Sequence, residues 1–333
     1  MDKVRFGILS TARIGLEKVI PAMQRSALCE VRAIASRSEK PAREAAARLG
    51  IPVVHGSYEA LLADPEIEAV YIPVPNQLHV SLALQAAAAG KHVLLEKPAA
   101  LTAAEAAQLR EAARRVIVAE AFMVRYHPQW QRARELVRAG RLGELRAVQV
   151  FFSYFNTDPA NIRNRVETGG GALYDIGCYA IVAGRFLFGA EPARAVSLVD
   201  RDPQLGTDRT TSAVLDFGGG RHLGFTVSTQ CATYQRVQAV GTKGRLEILI
   251  PFNAPQGAAT RIHVDDASSL EGAGIVTETL PPSDQYTLQG DAFARAVRGQ
   301  AEALPWGVED AIWNLRAIDA VFRSEQSGRW EAV

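Results

Sequence analysis

The residues best suited to chemistry in this sequence follow a glycine-rich loop at 169–171, where a helical pattern begins. Asp175 and Tyr179 lie four residues apart, which puts them on one face of a helix about one turn from each other. A phenol can exchange a proton with a substrate hydroxyl, and a nearby carboxylate can orient that phenol. Because free tyrosine titrates at about 10, an ammonium group is needed to favour the phenolate. We therefore predict a catalytic set of Tyr179, Lys97 and Asp175, in which Tyr179 is the acid/base.

Both members of the helical pair also have a structural interpretation. Asp175 could be a helix-start carboxylate that the helix dipole favours, and Tyr179 could be a buried phenol bonded to the main chain. Before the glycines lies the polar segment 156–165. It suits the wall of a pocket for a polyhydroxylated substrate, and a solvated loop is the alternative.

Lys97 follows a short apolar strand in a part of the chain where such strands alternate with helical patterns. This alternation is typical of a parallel sheet covered by helices. The strands are expected at 4–9, 31–35, 53–54, 69–74, 92–95 and 116–119. We therefore predict that residues 1–124 form a doubly wound Rossmann domain, which binds a dinucleotide.

The turn after the first strand should hold the cofactor's phosphates. A complete fingerprint reads G-x-G-x-x-G, and here only its third glycine, Gly15, is present. Small side chains still let the main chain approach a pyrophosphate, and the following helix offers its N–H groups. An ordinary strand-to-helix turn is the alternative. The predicted contacts in this turn are Ser10, Thr11, Ala12, Arg13 and Ile14.

The end of the second strand predicts which dinucleotide binds. An NAD enzyme usually has an acidic residue here for the ribose 2′-hydroxyl, whereas this chain has Ser36, Arg37 and Ser38. A guanidinium and two hydroxyls can hold a 2′-phosphate that a carboxylate would repel. We therefore predict NADP(H), with a solvated Arg37 as the alternative.

Two further loops leave the carboxyl ends of strands, where ligands bind in such sheets. The first supplies Pro73, Asn76, Leu78 and His79 as predicted cofactor contacts, although a structural role is favoured for His79. The second is Glu96-Lys97-Pro98, where the proline restricts the main chain of the lysine. Glu96 either orients Lys97 or is simply a charge before a helix.

Residues 125–333 show a different pattern, in which many strands alternate in period two. This favours an α+β domain with a large, open and mostly antiparallel sheet whose one face is covered. Phe225, Val227 and Leu246 suggest that the other face is not wholly polar. We therefore expect a homo-oligomer built on that sheet, a homodimer with a tetramer as the alternative.

Composition excludes several classes of protein. The 37 basic and 36 acidic residues nearly balance, which argues against nucleic-acid or membrane partners. Three widely spaced cysteines and six histidines without ligand spacing predict no metal site, and a reducing compartment is the simplest interpretation. No signal peptide and no window of about 20 apolar residues is expected. We therefore predict a cytoplasmic protein.

The motifs at 71–79, 96–98, 120–128 and 169–179 together resemble the glucose–fructose oxidoreductase, inositol dehydrogenase and rhizopine-catabolism (Gfo/Idh/MocA) family. Within it, the chain is most similar to the branch of dimeric dihydrodiol dehydrogenase and NADP-dependent D-xylose dehydrogenases. The resemblance implies that Lys97 lies by the nicotinamide ribose and adds Arg125 to the cofactor site. It also implies that Asn161 and Arg163 lie near the substrate. Many members have histidine where this chain has Tyr179.

The predicted function is hydride transfer between NADP(H) and a carbinol or carbonyl carbon of a sugar or related polyhydroxy compound, as in an aldose 1-dehydrogenase. Tyr179 and Asp175 complete the predicted substrate site. Alternatives are a trans-dihydrodiol dehydrogenase or dicarbonyl reductase and, from another class, a non-catalytic protein that senses a nucleotide or a sugar.

Overall fold

A computed structural model of the chain describes residues 2–333. The chain forms two compact units. One contains the residues up to Met123 together with Tyr286–Ile312, and the other contains Val124–Gln285 and Trp313–Val333. The sequence predicts a single boundary, between residues 124 and 125. The structure also assigns the later segment Tyr286–Ile312 to the first unit. It belongs with the first unit because Phe293 is fully buried there, with its ring centroid 5.8 Å from that of Phe6.

The first unit is built on a six-stranded parallel sheet, which confirms the predicted Rossmann fold. Its strands are ordered 3-2-1-4-5-6, so the direction of winding reverses between the first and fourth strands. The six strands are β1 (Val4–Leu9), β2 (Cys29–Ala35), β3 (Val53–His55), β4 (Ala69–Ile72), β5 (His92–Leu95) and β6 (Val118–Glu120).

Helices connect the strands of this sheet, and further helices occur in the rest of the chain. Several begin at side-chain caps; the Thr102 hydroxyl, for example, accepts the Glu105 N–H at 3.1 Å. The helices are α1 (Ile20–Arg25), α2 (Glu39–Leu49), α3 (Tyr58–Leu62), α4 (His79–Ala88), α5 (Ala103–Ala107), α6 (Leu109–Ala112), α7 (Pro128–Arg138), α8 (Cys178–Phe188), α9 (Gln285–Val297) and α10 (Val308–Ser327).

The second unit is built on a nine-stranded sheet, which is mostly antiparallel as predicted. One neighbouring pair, β7 and β10, runs parallel, so the sheet is mixed. Its strands are β7 (Leu145–Phe155), β8 (Arg194–Arg201), β9 (Asp208–Asp216), β10 (His222–Ser228), β11 (Gln230–Gly241), β12 (Arg245–Ile248), β13 (Thr260–Asp265), β14 (Ile275–Leu280) and β15 (Glu331–Ala332), in the order 14-13-12-11-7-10-9-8-15.

The two faces of this sheet differ in their cover, and here one prediction was wrong. Helix α8 packs on one face, where a Cβ on Gly184 would meet Leu223 at 2.9 Å. Phe225, Val227 and Leu246 are at most 4% exposed. The pairing register puts them on the covered face, because side chains alternate between faces with period two. They therefore say nothing about the open face.

The open face nevertheless carries apolar side chains of its own. Phe151, Leu198, Val214 and Tyr234 are between 36% and 77% exposed. They line a shallow concavity of about 640 Å³ together with polar residues such as Gln149.

The stretch Val166–Phe188 is apolar and long enough to cross a membrane by length and composition. The sequence predicted no such window, so that prediction was wrong. Inside the fold 83% of the window is buried, which is the behaviour of a core helix, and one such helix is weak evidence for a membrane span.

Candidate active site

Asp175 and Tyr179 lie on one continuous helical segment, which begins with a single π-helical turn. The turn spans Leu173–Gly177 and leads directly into α8. The sequence predicted an ordinary helix start, since a π-turn has no reliable sequence signal. Such turns occur frequently at functional sites.

Two side chains hold the carboxylate of Asp175. The Tyr154 hydroxyl donates to its Oδ2 at 2.6 Å, and Arg163 Nε lies 3.0 Å from the same oxygen. Burial and the neighbouring carboxylate raise the pKa of Tyr154 well above its usual value, so Tyr154 is a neutral donor. The structure thus brings together Asp175 and Arg163 as predicted site residues. Tyr154 joins them through a contact that crosses 21 positions of sequence, which the sequence did not indicate.

Tyr179 is 7% exposed, and aromatic neighbours fix the orientation of its ring. Phe152 contacts it edge-on with centroids 6.2 Å apart, and Phe252 lies 5.6 Å away. Phe152 and Phe252 also stack on each other at 4.7 Å. The phenol is therefore held by packing in one direction, as an acid/base group requires.

The segment from Asn156 to Gly171 is braced by hydrogen bonds to its own main chain. Asn164 is 3% exposed, and its amide donates to the Asn156 side chain at 3.0 Å and to the Asp158 carbonyl at 2.8 Å. The Thr168 hydroxyl donates to the Ile162 carbonyl at 2.5 Å. The sequence indicated a loop here but gave no sign that Asn164 would close it.

Two predictions concern residues inside this braced segment. The Asn161 side-chain oxygen accepts the Arg163 N–H at 3.0 Å, so it caps the local turn. Gly170 allows a close approach, because a Cβ there would lie 2.5 Å from the Arg163 carbonyl oxygen. The glycines therefore serve the packing of the loop that carries Arg163.

Asp208 lies beneath the glycine loop and was not singled out from the sequence. Its carboxylate accepts the Leu173 N–H at 2.7 Å and the Thr211 hydroxyl at 2.9 Å, both on Oδ2. Gly171 has a φ of 117°, and a Cβ there would lie 1.8 Å from Asp208 Oδ1. Burial raises the pKa of Asp208 to about 6. This carboxylate thus occupies the N-terminus of the helical segment that carries Asp175.

In the first unit, the turn after β1 lies where a dinucleotide's phosphates bind in this fold. Ser10 has a φ of 147°, and its hydroxyl oxygen accepts the Ala12 N–H at 2.9 Å. Thr11 and Ala12 are partly exposed, whereas Ile14 packs against the core. Arg13 forms an ion pair with Glu17, four residues further along the chain, in which its Nε lies 2.9 Å from a carboxylate oxygen.

At the end of β2, Ser36 is buried and Arg37 is exposed. Among residues 2–333, no carboxylate lies within ion-pair distance of Arg37, which separates it from most arginines of this chain. Ser38 precedes α2 in an extended conformation, and its hydroxyl does not cap that helix. Arg37 and Ser38 therefore offer a cation and a hydroxyl group to a phosphate, whereas the Ser36 side chain is buried.

His79 connects the two remaining loops of the predicted cofactor site. It is fully buried, with Nδ1 2.7 Å from the Pro98 carbonyl and Nε2 2.8 Å from the Val74 carbonyl. Burial lowers its pKa to about 4. Because both ring nitrogens face main-chain oxygens, we assign His79 a structural role in place of the predicted cofactor contact. Pro73, Asn76 and Leu78 lie in the loop that it anchors, where 76–78 form a 3₁₀ turn.

Glu96 orients the main chain that carries Lys97. One carboxylate oxygen accepts the Tyr71 hydroxyl at 2.5 Å, and the other accepts the Lys97 N–H at 3.3 Å. The peptide bond from Lys97 to Pro98 is cis. Arg125 lies in the second unit and is 4% exposed, in a 3₁₀ turn at Met123–Tyr126.

Comparison with known proteins gives matches over both units. Residues 4–124 match the family described as an oxidoreductase family with an NAD-binding Rossmann fold. Residues 130–247 match the GFO/IDH/MocA C-terminal domain.

Named relatives cover most or all of the chain. D-xylose 1-dehydrogenase (NADP(+)) 2 of Haloferax volcanii is 41% identical over 97% of this chain and 98% of its own. The trans-1,2-dihydrobenzene-1,2-diol dehydrogenase of Bos taurus is 32% identical over 76% of each chain. A 3-ketoreductase from Actinomadura kijaniata, solved with NADP and TDP-benzene, has a TM-score of 0.90 at 29% identity and covers 97% of this chain and 98% of its own.

Proposed function

The chain belongs to the Gfo/Idh/MocA family of oxidoreductases, and from this premise we propose a specific reaction for it. It transfers hydride between NADP(H) and a carbinol or carbonyl carbon of a sugar or related polyhydroxy compound, as an aldose 1-dehydrogenase does. The named relatives are dehydrogenases and reductases, and the xylose dehydrogenase is the one that matches at 41% identity.

The observation that carries this proposal is the difference between the two phenols near Asp175. The Tyr154 hydroxyl donates a hydrogen bond to the carboxylate, and burial together with this contact keeps the phenol neutral. Tyr179 lies on the same helical segment as Asp175 with its ring fixed by aromatic packing. We therefore assign proton transfer to Tyr179 and the orientation of Asp175 to Tyr154 and Arg163.

In the proposed mechanism, the Tyr179 phenolate takes the proton of the substrate hydroxyl as the carbinol carbon is oxidised. Lys97 is assigned to the same site, where its ammonium group favours the phenolate and lowers the pKa of Tyr179. Asp175 binds a substrate hydroxyl or orients the phenol. The nicotinamide, when bound, supplies C4 as the hydride acceptor or donor. Asn161 and Arg163 are proposed to contact the substrate from the braced segment.

We propose NADP(H) as the preferred cofactor because of the end of β2. Arg37 is exposed and carries no ion pair to a described carboxylate, so its charge is available to a 2′-phosphate. The rest of the proposed set is Ser10, Thr11, Ala12, Arg13, Ile14, Ser36, Ser38, Pro73, Asn76, Leu78, Glu96, Lys97 and Arg125. Comparing kcat/KM for the two cofactors tests this preference. Arg37→Ala should lose most of it, and an NAD preference in the wild-type protein would refute it.

The substrate class is tested by following NADPH absorbance with the purified protein. The panel should contain aldoses and polyols with NADP⁺, and dicarbonyls with NADPH. An aldose substrate supports the proposal. Oxidation of a trans-dihydrodiol, the alternative that the bovine relative favours, would replace it. Tight NADPH binding without turnover on any compound would indicate a sensing protein.

We also propose that a second copy of the chain covers the open face of the nine-stranded sheet. Phe151, Leu198, Val214 and Tyr234 expose apolar surface on that face. The expected assembly is a homodimer, with a tetramer as the larger possibility. Leu198→Glu should shift the mass measured by light scattering to that of a monomer. Leu270→Glu, at an exposed leucine outside the sheet, is the control.

The proposed compartment is the cytoplasm, where thiols stay reduced. Cys29, Cys178 and Cys231 form no disulfide bonds with one another in the structure. A fusion to a fluorescent protein, imaged in the host cell, tests this location.

A further inference from the structure

Ser10 has a backbone conformation that side chains rarely adopt. Among non-glycine residues of 2–333, only Ser10 and Ala267 have positive φ, and the value at Ser10 is 147°. Glycine is the residue that ordinarily populates this region. Ser10 stands directly after β1, where the dinucleotide fingerprint begins with glycine. A strained serine at this position needs a compensating role.

The hydroxyl of Ser10 has one of its hydrogen-bonding functions occupied. Its oxygen accepts the Ala12 N–H at 2.9 Å. A hydroxyl also has a proton to donate. Within residues 2–333, no acceptor lies within hydrogen-bond distance for that proton, and Ser10 is partly exposed. The proton is therefore available to a ligand.

Other serines in this chain show what such a hydroxyl does when a protein acceptor is near. Ser228 accepts the N–H two residues ahead at 3.1 Å and donates to the Arg209 carbonyl at 2.8 Å. Ser327 accepts the N–H two residues ahead at 3.3 Å and donates to Glu331 at 2.6 Å. In both, the oxygen accepts an amide while the proton goes to an oxygen of the protein. The Ser10 oxygen likewise accepts an amide N–H, from Ala12, but its proton has no such acceptor among residues 2–333.

We propose that the Ser10 hydroxyl donates its proton to a phosphate oxygen of the cofactor's pyrophosphate, while Ala12 N–H polarises it. The inference rests on the proposed function, because it takes this turn to hold the pyrophosphate. An N–H that donates to the hydroxyl oxygen strengthens the hydroxyl as a donor. A phosphate oxygen is a charged acceptor and makes a strong bond of this kind. Serine thereby replaces the missing glycine with a side-chain donor.

The contact between Ala12 N–H and the Ser10 hydroxyl could also oppose cofactor binding, and the two cases predict opposite changes in affinity when the hydroxyl is removed. If the hydroxyl only competed with phosphate for Ala12 N–H, removing it would strengthen cofactor binding. If the hydroxyl donates, removing it weakens binding. Ser10→Ala separates the two because alanine keeps the Cβ, and hence the backbone strain, and loses only the oxygen.

The experiment measures the Kd of NADPH for wild type and Ser10→Ala by quenching of protein fluorescence. Loss of a hydrogen bond to a charged group is expected to raise Kd by about tenfold. Adenosine 2′-monophosphate, which has neither a pyrophosphate nor a 5′-phosphate, should bind both proteins equally. Ser38→Ala is the matched control, since it removes a hydroxyl at the 2′-phosphate end and should weaken both ligands. Unchanged or tighter NADPH binding by Ser10→Ala overturns the inference.

Ser10→Gly is the second variant, and it tests whether the backbone conformation at residue 10 costs stability. It should raise the Tm of the cofactor-free protein, because glycine adopts this φ without cost. Its NADPH affinity should stay below that of wild type. Tighter binding than wild type would assign the phosphate contact to the main chain and overturn the inference. If wild-type protein binds neither NADPH nor NADH, the proposed function fails, and the role of Ser10 fails with it.

Discussion

The segment 156–171 in the second unit is the proposed substrate wall and the turn 10–15 in the first is the proposed phosphate site, and the two are built differently. The former is closed by the buried Asn164 amide and by Thr168, with glycines packed against its main chain. The latter is closed by a hydrogen bond from Ala12 N–H to the Ser10 hydroxyl and contains a residue of strained φ, while Arg13 pairs with Glu17 outside the turn. A wall must hold its shape before substrate arrives, whereas a phosphate turn must keep its donors for the ligand. The predictions below test this division.

The largest effect is expected where the braced segment leads into the helix of Tyr179. Tyr179→Phe should lower kcat by about a hundredfold to ten-thousandfold, because it removes the proposed acid/base. NADPH affinity should not change. Tyr154→Phe is the matched variant, since it removes a phenol that burial and the contact with Asp175 keep neutral. Steady-state rates of the two variants give the comparison. Equal losses would contradict the assignment of proton transfer to Tyr179.

Lys97→Met tests whether the first unit contributes charge to the chemistry. We expect most of kcat to be lost, and the rise of the oxidation rate with pH to move to higher pH. The direction follows because an ammonium group favours the phenolate, so its removal raises the pKa of Tyr179. Lys97→Arg keeps the charge and should restore part of the profile. A pH profile of Lys97→Met that matches wild type would remove the lysine from the mechanism.

Asn164→Ala breaks the brace directly. It removes a buried amide with several hydrogen bonds, so the free energy of unfolding should fall by about 1–3 kcal/mol. The substrate KM should rise while the Kd of NADPH stays constant, which is the reverse of the pattern expected for Ser10→Ala. Denaturant titration and steady-state kinetics measure both. Thr157→Ala, at an exposed residue of the same segment, is the control. A change in NADPH affinity would show that the two loops are not independent.

Sequence patterns were enough for the elements that repeat regularly. The first-sheet strands could be predicted because short apolar runs alternate with helices, and β1 and β5 match their predicted bounds. The boundary between β10 and β11 was not visible in the sequence, since β10 ends at Ser228 and β11 begins at Gln230. A reversal within two residues leaves too little turn composition to detect. The strands at Ile275–Leu280 and Glu331–Ala332 were missed because both lie at sheet edges, where exposed polar residues weaken the pattern.

The candidate site divides in the same way. Lys97, Asp175 and Tyr179 stand out because their residue types and positions suggest chemistry without any knowledge of their neighbours. Tyr154, Asn164 and Asp208 act through contacts that folding creates; Asp208 accepts an N–H 35 positions away in sequence. A single sequence has no local pattern that reports such a partner, so the groups that hold the site are visible only in the structure.

Asp208 shows whether charge or geometry closes the glycine loop. Burial raises the pKa of its carboxyl from 3.8 to about 6. The folded chain therefore binds this proton more tightly than the unfolded chain. As pH rises from about 4 to 6, stability falls, by roughly 3 kcal/mol for a shift of this size. Above about pH 6 the charged carboxylate remains a cost to the fold.

Asp208→Asn should remove this pH dependence and preserve the loop. Both the Leu173 N–H and the Thr211 hydroxyl reach the same oxygen, Oδ2, so the single oxygen of an amide can still accept both. Plots of Tm against pH should converge near pH 4 and separate towards pH 7, with the variant at least as stable there. Parallel curves would contradict the assigned titration. A lower Tm at pH 7 would show that the negative charge itself, at the start of the helix that carries Asp175, holds the loop in place.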